Sequence, residues 1–234
     1  MNDMSLKNKW IGQSTPRPDG IDKVTGSAQY AADFTMPGMV WGKLLRSPHA
    51  HALIKKIDTA KATELKGVVA VMTGADLPLL PLDKPLPTGP NDIRWISRGC
   101  MAQEKILYTG QPVAAVAAIS KSVAEAALEL IEVDYEVLPH VIDVDEAMAP
   151  DAPILHDWLK TDGIDGPTNI ASTMVVKAGD VEQGFAEADL VIEREFKSAA
   201  VHQGYIEPQA CTVSYKPDSQ STIWSSSQGQ FMVR

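Results

Sequence analysis

Hydrophobic and polar positions in the first third of the chain predict strands separated by a short helix. Residues 39–58 have a strand-like pattern, and residues 58–67 are typical of a helix with an Asp or Thr cap and a Gly stop. Residues 68–72 are apolar and mostly β-branched, which indicates another strand. This succession predicts a βαβ-like unit.

The clearest buried strand lies at residues 113–119, where the apolar run is nearly continuous. A helix is predicted directly after it, with Ser120 or Ser122 as the N-terminal cap. Its apolar residues recur at helical spacing, which predicts one face packed on the sheet. These residues are Val123, Ala126, Ala127, Leu130 and Ile131.

A strand predicted at residues 133–138 carries acidic residues that could suggest acid–base chemistry. Period two places Asp134 and Glu136 on one face of that strand, and we interpret this face as solvated. The chain also lacks the common signatures of nucleotide-binding loops, zinc proteases, serine hydrolases and thiol redox sites. We therefore expect neither a catalytic carboxylate pair on this strand nor a nucleotide-binding loop.

The second half of the chain predicts fewer elements, after a stretch rich in proline and glycine. Asp180 is predicted to cap a short helix, and residues 190–196 are predicted to form a strand. Residues 210–215 and 222–226 are predicted as two further strands joined by a turn at residues 216–218.

Composition and charge narrow the class of protein. The chain has 234 residues, of which 44% are hydrophobic and 22% charged, as expected for a globular fold with a core. Its formal net charge of -9, without clusters of Lys and Arg, argues against a nucleic-acid partner.

Cys100 and Cys211 are far apart and do not indicate a disulfide framework. No leader peptide and no apolar run of membrane-spanning length are visible, so we expect a cytoplasmic protein without a membrane partner.

His49 and His51 raise the question of a metal site. At i and i+2 of an extended strand the two imidazoles share a face, and imidazole is a common metal ligand. No Cys, Asp or Glu stands beside them at ligand spacing, and apolar residues flank the stretch on both sides. We therefore interpret both histidines as structural residues that form hydrogen bonds in or beside a half-buried strand, with a metal arm as the less favoured alternative.

Two polar stretches near the end of the chain are candidates for a site. His202, Tyr205 and Glu207 precede the first of the two last predicted strands, where they form either a pocket wall or a hydrogen-bonded structural corner between His202 and Glu207. Gln228 follows the last strand, and a neutral amide can orient an oxo or hydroxyl group without adding charge. On the local pattern alone, an ordinary loop explains the second stretch equally well.

Five stretches, taken in order, resemble one known family. They are residues 17–26 (RPDGIDKVTG), 45–52 (LRSPHAHA), 67–71 (GVVAV), 108–116 (YTGQPVAAV) and 131–139 (IEVDYEVLP). From about residue 11 onward, the chain resembles the amino-terminal part of the molybdenum-binding large subunit of the xanthine dehydrogenase and aldehyde oxidase family of molybdenum hydroxylases. Each stretch alone is a weak signal, and the five in order are a strong one.

The resemblance implies an α+β fold with two parts. A lead-in of residues 1–18 precedes an α/β hammerhead domain at residues 19–150. A linker at residues 151–168, where proline and glycine are frequent, leads to residues 169–234. These last residues are expected to be the incomplete beginning of a molybdopterin cofactor-binding domain.

The resemblance also implies the residues of the site. Residues 226–228 match the family's Ser-Thr-Gln segment, whose glutamine lies beside the molybdenum and hydrogen-bonds a metal-bound oxygen. We therefore expect Gln228 to be catalytic and, together with Gly229, to contact the molybdopterin-type cofactor. Glu207 matches the family's glutamate-proline segment, and Tyr205 and Glu207 are candidates for the substrate pocket.

The family's activity is implied only for a larger assembly. The resemblance implies hydroxylation of an aldehyde or N-heterocycle with oxygen derived from water, with 2Fe-2S clusters and FAD in iron–sulfur and flavin partner subunits. The family's glycine-rich segment and general-base glutamate are not within the 234 residues. We therefore expect an isolated chain to be inactive without a carboxyl-terminal segment of the molybdenum subunit. The alternative is a non-catalytic interaction or structural domain of such a complex.

Overall fold

The computed structural model describes residues 12–77, 99–157, 161–207, 209–227, 229 and 231. Their helices are α1 (Gly20–Thr25), α2 (Ala60–Glu64), α3 (Lys121–Leu128), α4 (Val144–Ala147) and α5 (Val181–Glu187), with 3₁₀ turns at Ala31–Asp33 and Gly74–Asp76. Their strands are β1 (Trp41–Arg46), β2 (Ala52–Asp58), β3 (Val68–Thr73), β4 (Lys105–Ile106), β5 (Pro112–Ala118), β6 (Glu132–Val137), β7 (Cys211–Ser214) and β8 (Thr222–Ser225). Contacts divide the chain into a central unit, Gly38–Ile192, and a flanking unit, Met1–Pro37 with Glu193–Arg234.

Strand β5 is the middle strand of the first sheet, whose order is β1-β5-β3. It pairs antiparallel with both neighbours. Successive residues of a strand point to opposite faces, and the successive residues Val113 and Ala114 are both fully buried. The prediction of a strand buried on both faces is therefore confirmed.

Helix α3 covers this sheet. The hydroxyl of its N-cap, Ser120, accepts a hydrogen bond from the N–H of Val123 at 3.2 Å, which confirms one of the two predicted caps. The predicted apolar face is partly wrong, because Ala124 is buried with Ala127 while Ala126 is exposed. Alanine is common around this helix, so the hydrophobic pattern does not fix its rotation.

The second sheet has the order β4-β2-β6, again with antiparallel pairs. Its buried side includes Ala52 and Ile106, both fully buried. Asp134 and Glu136 lie on β6 with exposed side chains. Their predicted solvent-facing position is confirmed.

The predicted βαβ-like unit is wrong as a sheet arrangement, because the strands on either side of α2 belong to different sheets. The single strand-like pattern at residues 39–58 contains two strands, β1 and β2. Between them, the hydroxyl of Ser47 accepts a hydrogen bond from the N–H of His49 at 3.0 Å, and Pro48 cannot donate to a ladder. This turn passes the chain from the first sheet to the second.

Helix α5 begins where the sequence predicts, since Asp180 accepts a hydrogen bond from the N–H of Gln183 at 3.0 Å. The strand predicted for residues 190–196 is wrong, as these described residues form none. Leu190 and Phe196 are 75% and 89% exposed. The hydrophobic alternation in this segment is imperfect, and a strand also needs a partner for its ladder.

In the flanking unit, β7 and β8 form an antiparallel hairpin, which confirms the two strands predicted there. The hydroxyl of Thr212 donates a hydrogen bond to the carbonyl oxygen of Ala31 at 3.3 Å. The ring of Phe34 stacks on that of Trp224 with 5.2 Å between their centroids. These two contacts join the first 3₁₀ turn, and the residue that follows it, to the hairpin.

Across the described parts of the chain, no helix has the length and apolar character needed to span a membrane. Cys100 and Cys211 are both exposed and free.

Candidate functional site

The β7–β8 hairpin brings together the two polar stretches that the sequence singles out. Cys211 at the start of β7 lies opposite Ser225 at the end of β8. Residues just before β7 and just after β8 must therefore be neighbours. The N–H of Ser226 donates a hydrogen bond to the carbonyl oxygen of Ala210 at 3.3 Å and extends the hairpin by one link.

A side-chain hydrogen bond joins the two stretches directly. The hydroxyl of Ser226 donates to Oε1 of Glu207 at 2.9 Å. Because the acceptor is a carboxylate, this bond belongs to the stronger, charge-assisted class. It fixes the position of the Glu207 side chain relative to the end of β8.

The two stretches enclose a cavity of about 210 Å³, which we call the Glu207 cavity. It is lined by Tyr205, Glu207, Gln209, Ser226 and Ser227. Tyr205 and Glu207 are predicted pocket residues, and the structure places both in its wall. Gln209 was missed by the sequence reasoning, although the antiparallel hairpin it predicted would have placed this residue beside the end of β8.

Of the two predicted cofactor contacts, Gln228 and Gly229, the structure describes only Gly229. Gln228 lies outside the described residues. The N–H of Gly229 donates a hydrogen bond to the hydroxyl of Ser227 at 3.0 Å. This short turn holds a predicted cofactor-binding residue next to a residue of the Glu207 cavity, while the predicted roles of Gln228 and Gly229 stay predictions.

His202 does not form the predicted corner with Glu207. Its Nδ1 accepts a hydrogen bond from the N–H of Gly204 at 3.1 Å, and its ring stands perpendicular to that of Tyr205 with 5.2 Å between centroids. The carboxylate of Glu207 instead pairs with Ser226. The hairpin brings the Ser226 hydroxyl, just beyond β8, beside this carboxylate.

His49 and His51 both have structural contacts in the central unit. Nδ1 of His51, a residue only 5% exposed, lies 2.6 Å from the carbonyl oxygen of Pro139. A carbonyl can only accept, so Nδ1 carries the proton. The ring of His49 packs edge-on against Tyr135, with 5.0 Å between centroids. The predicted structural hydrogen bond is confirmed for His51, and His49 contributes a ring contact.

His156 gives the central unit a predicted sensitivity to acid. Burial lowers the pKa of His156 below its ordinary 6.5, and the charges of Lys105 and His51 lower it further, while Asp157 opposes them. The unfolded chain therefore binds the proton more readily, so stability is full above about pH 6.5 and falls as the pH drops toward the folded-state pKa. We expect His156→Gln to flatten the loss of thermal stability as the pH falls below about 6.5. The measurement is the melting temperature as a function of pH. If the melting temperature of His156→Gln fell as steeply below about pH 6.5 as that of the unaltered chain, His156 would not be the source of the acid sensitivity.

Comparison with known proteins gives the family. Residues 25–139 match the model described as aldehyde oxidase and xanthine dehydrogenase, a/b hammerhead domain. Residues 164–234, which include every residue of the Glu207 cavity, match the molybdopterin cofactor-binding domain. The chain belongs to the xanthine dehydrogenase and aldehyde oxidase family of molybdenum hydroxylases. The predicted α+β fold, a hammerhead domain followed by the beginning of a molybdopterin-binding domain, is confirmed.

Individual relatives agree with this assignment. The chain is 37% identical to the carbon monoxide dehydrogenase large chain of Afipia carboxidovorans, over 97% of this chain and 28% of that one. It is 34% identical to the carbon monoxide dehydrogenase large chain of Hydrogenophaga pseudoflava, over 90% of this chain and 26% of that one. Among solved structures, quinoline 2-oxidoreductase from Pseudomonas putida 86 superposes with a TM-score of 0.73 at 29% identity, covering 95% of this chain and 28% of that one. The chain thus spans about a quarter of the length of these relatives.

The side chains around the Glu207 cavity are suited to a pterin cofactor. A pterin presents hydrogen-bond donors and acceptors along its ring edges, and molybdopterin carries its own sulfur ligands for the metal. The protein must therefore supply hydroxyl, amide and carboxylate groups, and the cavity is lined by these groups. Within the part of the chain that the structure describes, no cluster of three or more His, Cys, Asp or Glu side chains is arranged to hold a bare metal ion.

Proposed function

We propose that this chain is the amino-terminal portion of the molybdenum-binding subunit of a hydroxylase, and that the Glu207 cavity is its share of the cofactor site. The proposed reaction is the hydroxylation of an aldehyde or an N-heterocycle with oxygen derived from water. The observation that carries the proposal is the Ser226–Glu207 hydrogen bond, which builds a polar cavity inside the molybdopterin-binding match.

In the proposed site, the cofactor carries out the oxidation and the residues of the chain bind and position the reacting groups. When bound, the molybdenum cofactor supplies the two-electron oxidation. Ser226 holds the carboxylate of Glu207 against the cavity wall, and Tyr205 contributes a ring and a phenolic hydroxyl beside it. Gln228 is proposed as the catalytic residue, because its neutral amide can donate and accept hydrogen bonds without adding charge. Gly229 is proposed as a cofactor contact, since its backbone can approach a ligand without hindrance from a side chain.

The cavity also supports the proposed need for a further segment of the molybdenum subunit. A volume of about 210 Å³ encloses only part of a molybdopterin. Apolar side chains in the same cofactor-binding match are largely exposed, among them Val175, Phe196 and Ile206 at 77%, 89% and 100%. Exposed apolar patches of this kind mark surfaces that another part of an assembly covers. We propose the carboxyl-terminal portion of the subunit as that part.

Electron transfer out of the site is proposed to use partner subunits. One relative, 29% identical, is named the xanthine dehydrogenase molybdenum-binding subunit of Escherichia coli O157:H7. Another, 32% identical, is named as a subunit of the 6-hydroxypseudooxynicotine dehydrogenase complex of Paenarthrobacter nicotinovorans. Proteins with these names are parts of multisubunit enzymes. We therefore propose an iron–sulfur subunit with 2Fe-2S clusters and a flavin subunit with FAD as partners.

Ser226 provides a direct test of the cavity. In the chain co-expressed with the carboxyl-terminal portion, Ser226→Ala is expected to reduce molybdopterin retention about three- to tenfold, because it removes a charge-assisted hydrogen bond and frees the Glu207 side chain. Ser226→Thr keeps the hydroxyl and is expected to retain the cofactor. Retention is measured as bound molybdenum and pterin after extensive dialysis.

The matched control is Ser219→Ala, which removes a serine hydroxyl from the exposed turn between β7 and β8. It is expected to leave retention unchanged. If Ser226→Ala retained as much cofactor as Ser226→Thr, with similar melting temperatures, the Glu207 cavity would not be the cofactor site.

A further inference from the structure

The carboxylate of Glu207 is held at one oxygen and open at the other. Its Oε1 accepts the hydrogen bond from the Ser226 hydroxyl, whereas Oε2 makes no hydrogen bond or ion pair with any described residue. The side chain is exposed, so a ligand in the Glu207 cavity can reach it. An ionised carboxylate offers about four lone-pair sites, of which Ser226 occupies one. Glu207 is therefore a positioned acceptor for the N–H groups of a ligand.

The Glu207 cavity carries a negative charge that no described lining residue balances. Its other lining residues are Tyr205, Gln209, Ser226 and Ser227, and all four are neutral. A phosphate or carboxylate group in this cavity would meet a like charge without a compensating cation, which is unfavourable. The cavity therefore favours the uncharged, donor-bearing end of a ligand.

The aromatic side chain and the volume of the cavity suit a flat ring. The ring of Tyr205 is 46% exposed, and the ring of His202 supports it edge-on with 5.2 Å between centroids. An exposed aromatic face can stack on a heterocycle. The volume of about 210 Å³ exceeds the roughly 150 Å³ that holds one benzene molecule in a protein interior. The cavity thus has room for a fused two-ring system.

A pterin has an edge that matches this carboxylate. Its 2-amino group and the neighbouring ring N–H are adjacent, nearly parallel donors. A carboxylate can accept both together, as it accepts two N–H groups of a guanidinium. The opposite end of a molybdopterin bears a phosphate, which the charge of Glu207 disfavours. Hydrogen bonding, charge and size therefore agree on one orientation.

We propose that Glu207 binds the aminopyrimidine edge of the pterin and sets which end of the molybdopterin enters the Glu207 cavity. The 2-amino group and the ring N–H donate to the carboxylate, and the phosphate end lies outside the cavity. Gln209 lies in the same wall and can donate to the neighbouring ring carbonyl. This inference rests on the proposed function, which assigns the cavity to the cofactor without an orientation. An N-heterocyclic substrate with the same pair of donors is the competing occupant.

The probes are pterin and lumazine, which carries an oxo group in place of the 2-amino group. A micromolar amount of each fluorescent probe is titrated with the full chain. We expect pterin to bind with a dissociation constant on the order of 0.1 mM. Lumazine is expected to bind about tenfold more weakly, because its 2-oxo group directs lone pairs at the carboxylate. Equal affinities, or no binding of pterin, would overturn the proposal.

The variant Glu207→Gln separates recognition from a structural role. Its oxygen can still accept from Ser226, but its NH₂ group faces the donors of pterin and can donate to the 2-oxo group of lumazine. We expect pterin binding to weaken about tenfold while lumazine binding is unchanged or stronger. Equal weakening of both probes would assign Glu207 a structural role and overturn the proposal.

The matched control is Glu182→Gln, which changes an exposed carboxylate on α5. Both dissociation constants are expected to equal those of the unaltered chain. A control that lost the preference for pterin as Glu207→Gln does would show that the effect is one of overall charge, contrary to the proposal.

Cofactor content distinguishes the two occupants. In the complex with the carboxyl-terminal portion, Glu207→Gln is expected to lower bound pterin after dialysis about tenfold. Unchanged pterin content with a raised KM would place a substrate at Glu207 and overturn the proposal. Full retention by Glu207→Gln with loss from Ser226→Ala would overturn it and leave the proposed function intact. Full retention by both variants would contradict the proposed function as well.

Discussion

Replacement of Gln228 by alanine is expected to lower turnover of the assembled enzyme by about 10²- to 10³-fold, the usual effect of removing one preorganised hydrogen-bonding group from a reaction centre. The proposed role places its neutral amide beside the molybdenum, where it orients a reacting oxygen without adding charge. Molybdenum and pterin contents are expected to stay near those of the unaltered enzyme, since other residues supply most of the cofactor contacts. Steady-state kinetics together with metal analysis measures both effects.

The control for this prediction is Gln220→Ala, which removes the same amide from the exposed turn between β7 and β8. Turnover of this variant is expected to match that of the unaltered enzyme. Unchanged turnover of Gln228→Ala in a fully loaded enzyme would show that Gln228 is not a catalytic residue.

Replacement of Gly74 by alanine is expected to destabilise the central unit by about 3 kcal/mol. A Cβ at this position would collide with the carbonyl oxygen of Ala102, and it would lie 2.9 Å from both the carbonyl carbon of Ala102 and Cα of Gln103. Backbone atoms cannot move aside as a flexible side chain can. The N–H of Ala102 is also bound to the carbonyl oxygen of Pro112 at 2.8 Å, which holds the colliding peptide in place.

The expected change in melting temperature is a decrease of roughly 6–12 °C, measured by circular dichroism. Gly42→Ala is the matched control, because a Cβ at Gly42 would have no atom within 4 Å. It is expected to change stability by less than about 1 kcal/mol. Similar melting temperatures for Gly74→Ala and the unaltered chain would mean that the second 3₁₀ turn does not pack against Ala102 as described.

The sequence predicts a helix, strand or turn well where a single local feature, such as an apolar run or a capping residue, determines it. The continuous apolar run of β5, the cap of α5 at Asp180 and the turn between β7 and β8 each have a distinct local cause, and each is found in the structure. Burial on both faces of β5 follows from its composition. Caps and turns depend on side chains within a few residues, so the sequence contains the information directly.

Long-range pairing is where the sequence reasoning fails. The strands on either side of α2 join different sheets, and no local pattern distinguishes this from a βαβ unit. The strand predicted at residues 190–196 has alternating residues but no partner strand within the described chain. A strand is stabilised by its neighbours, and its formation is therefore decided by residues far away in sequence.

The candidate site shows both the strength and the limit of sequence reasoning. Tyr205 and Glu207 are predicted from residue type and family resemblance, and the structure places them in one cavity with Ser226. Their role in a substrate pocket stays a prediction. The hydrogen bond between Ser226 and Glu207 was missed, although it follows from the antiparallel hairpin that the sequence predicted. The pairing of His202 with Gly204 depends on side-chain geometry, which the sequence does not contain.

Residues 164–234, with the Glu207 cavity, are proposed to form part of a molybdopterin site. The most direct measurement is the molybdenum and pterin content of the chain purified in complex with the carboxyl-terminal portion of the molybdenum-binding subunit. We expect about one molybdopterin per complex, as one site per assembled subunit requires, and its loss when residues 164–234 are deleted. A stable complex that contains no molybdopterin, or one that keeps its molybdopterin after this deletion, would show that these residues are not part of the cofactor site.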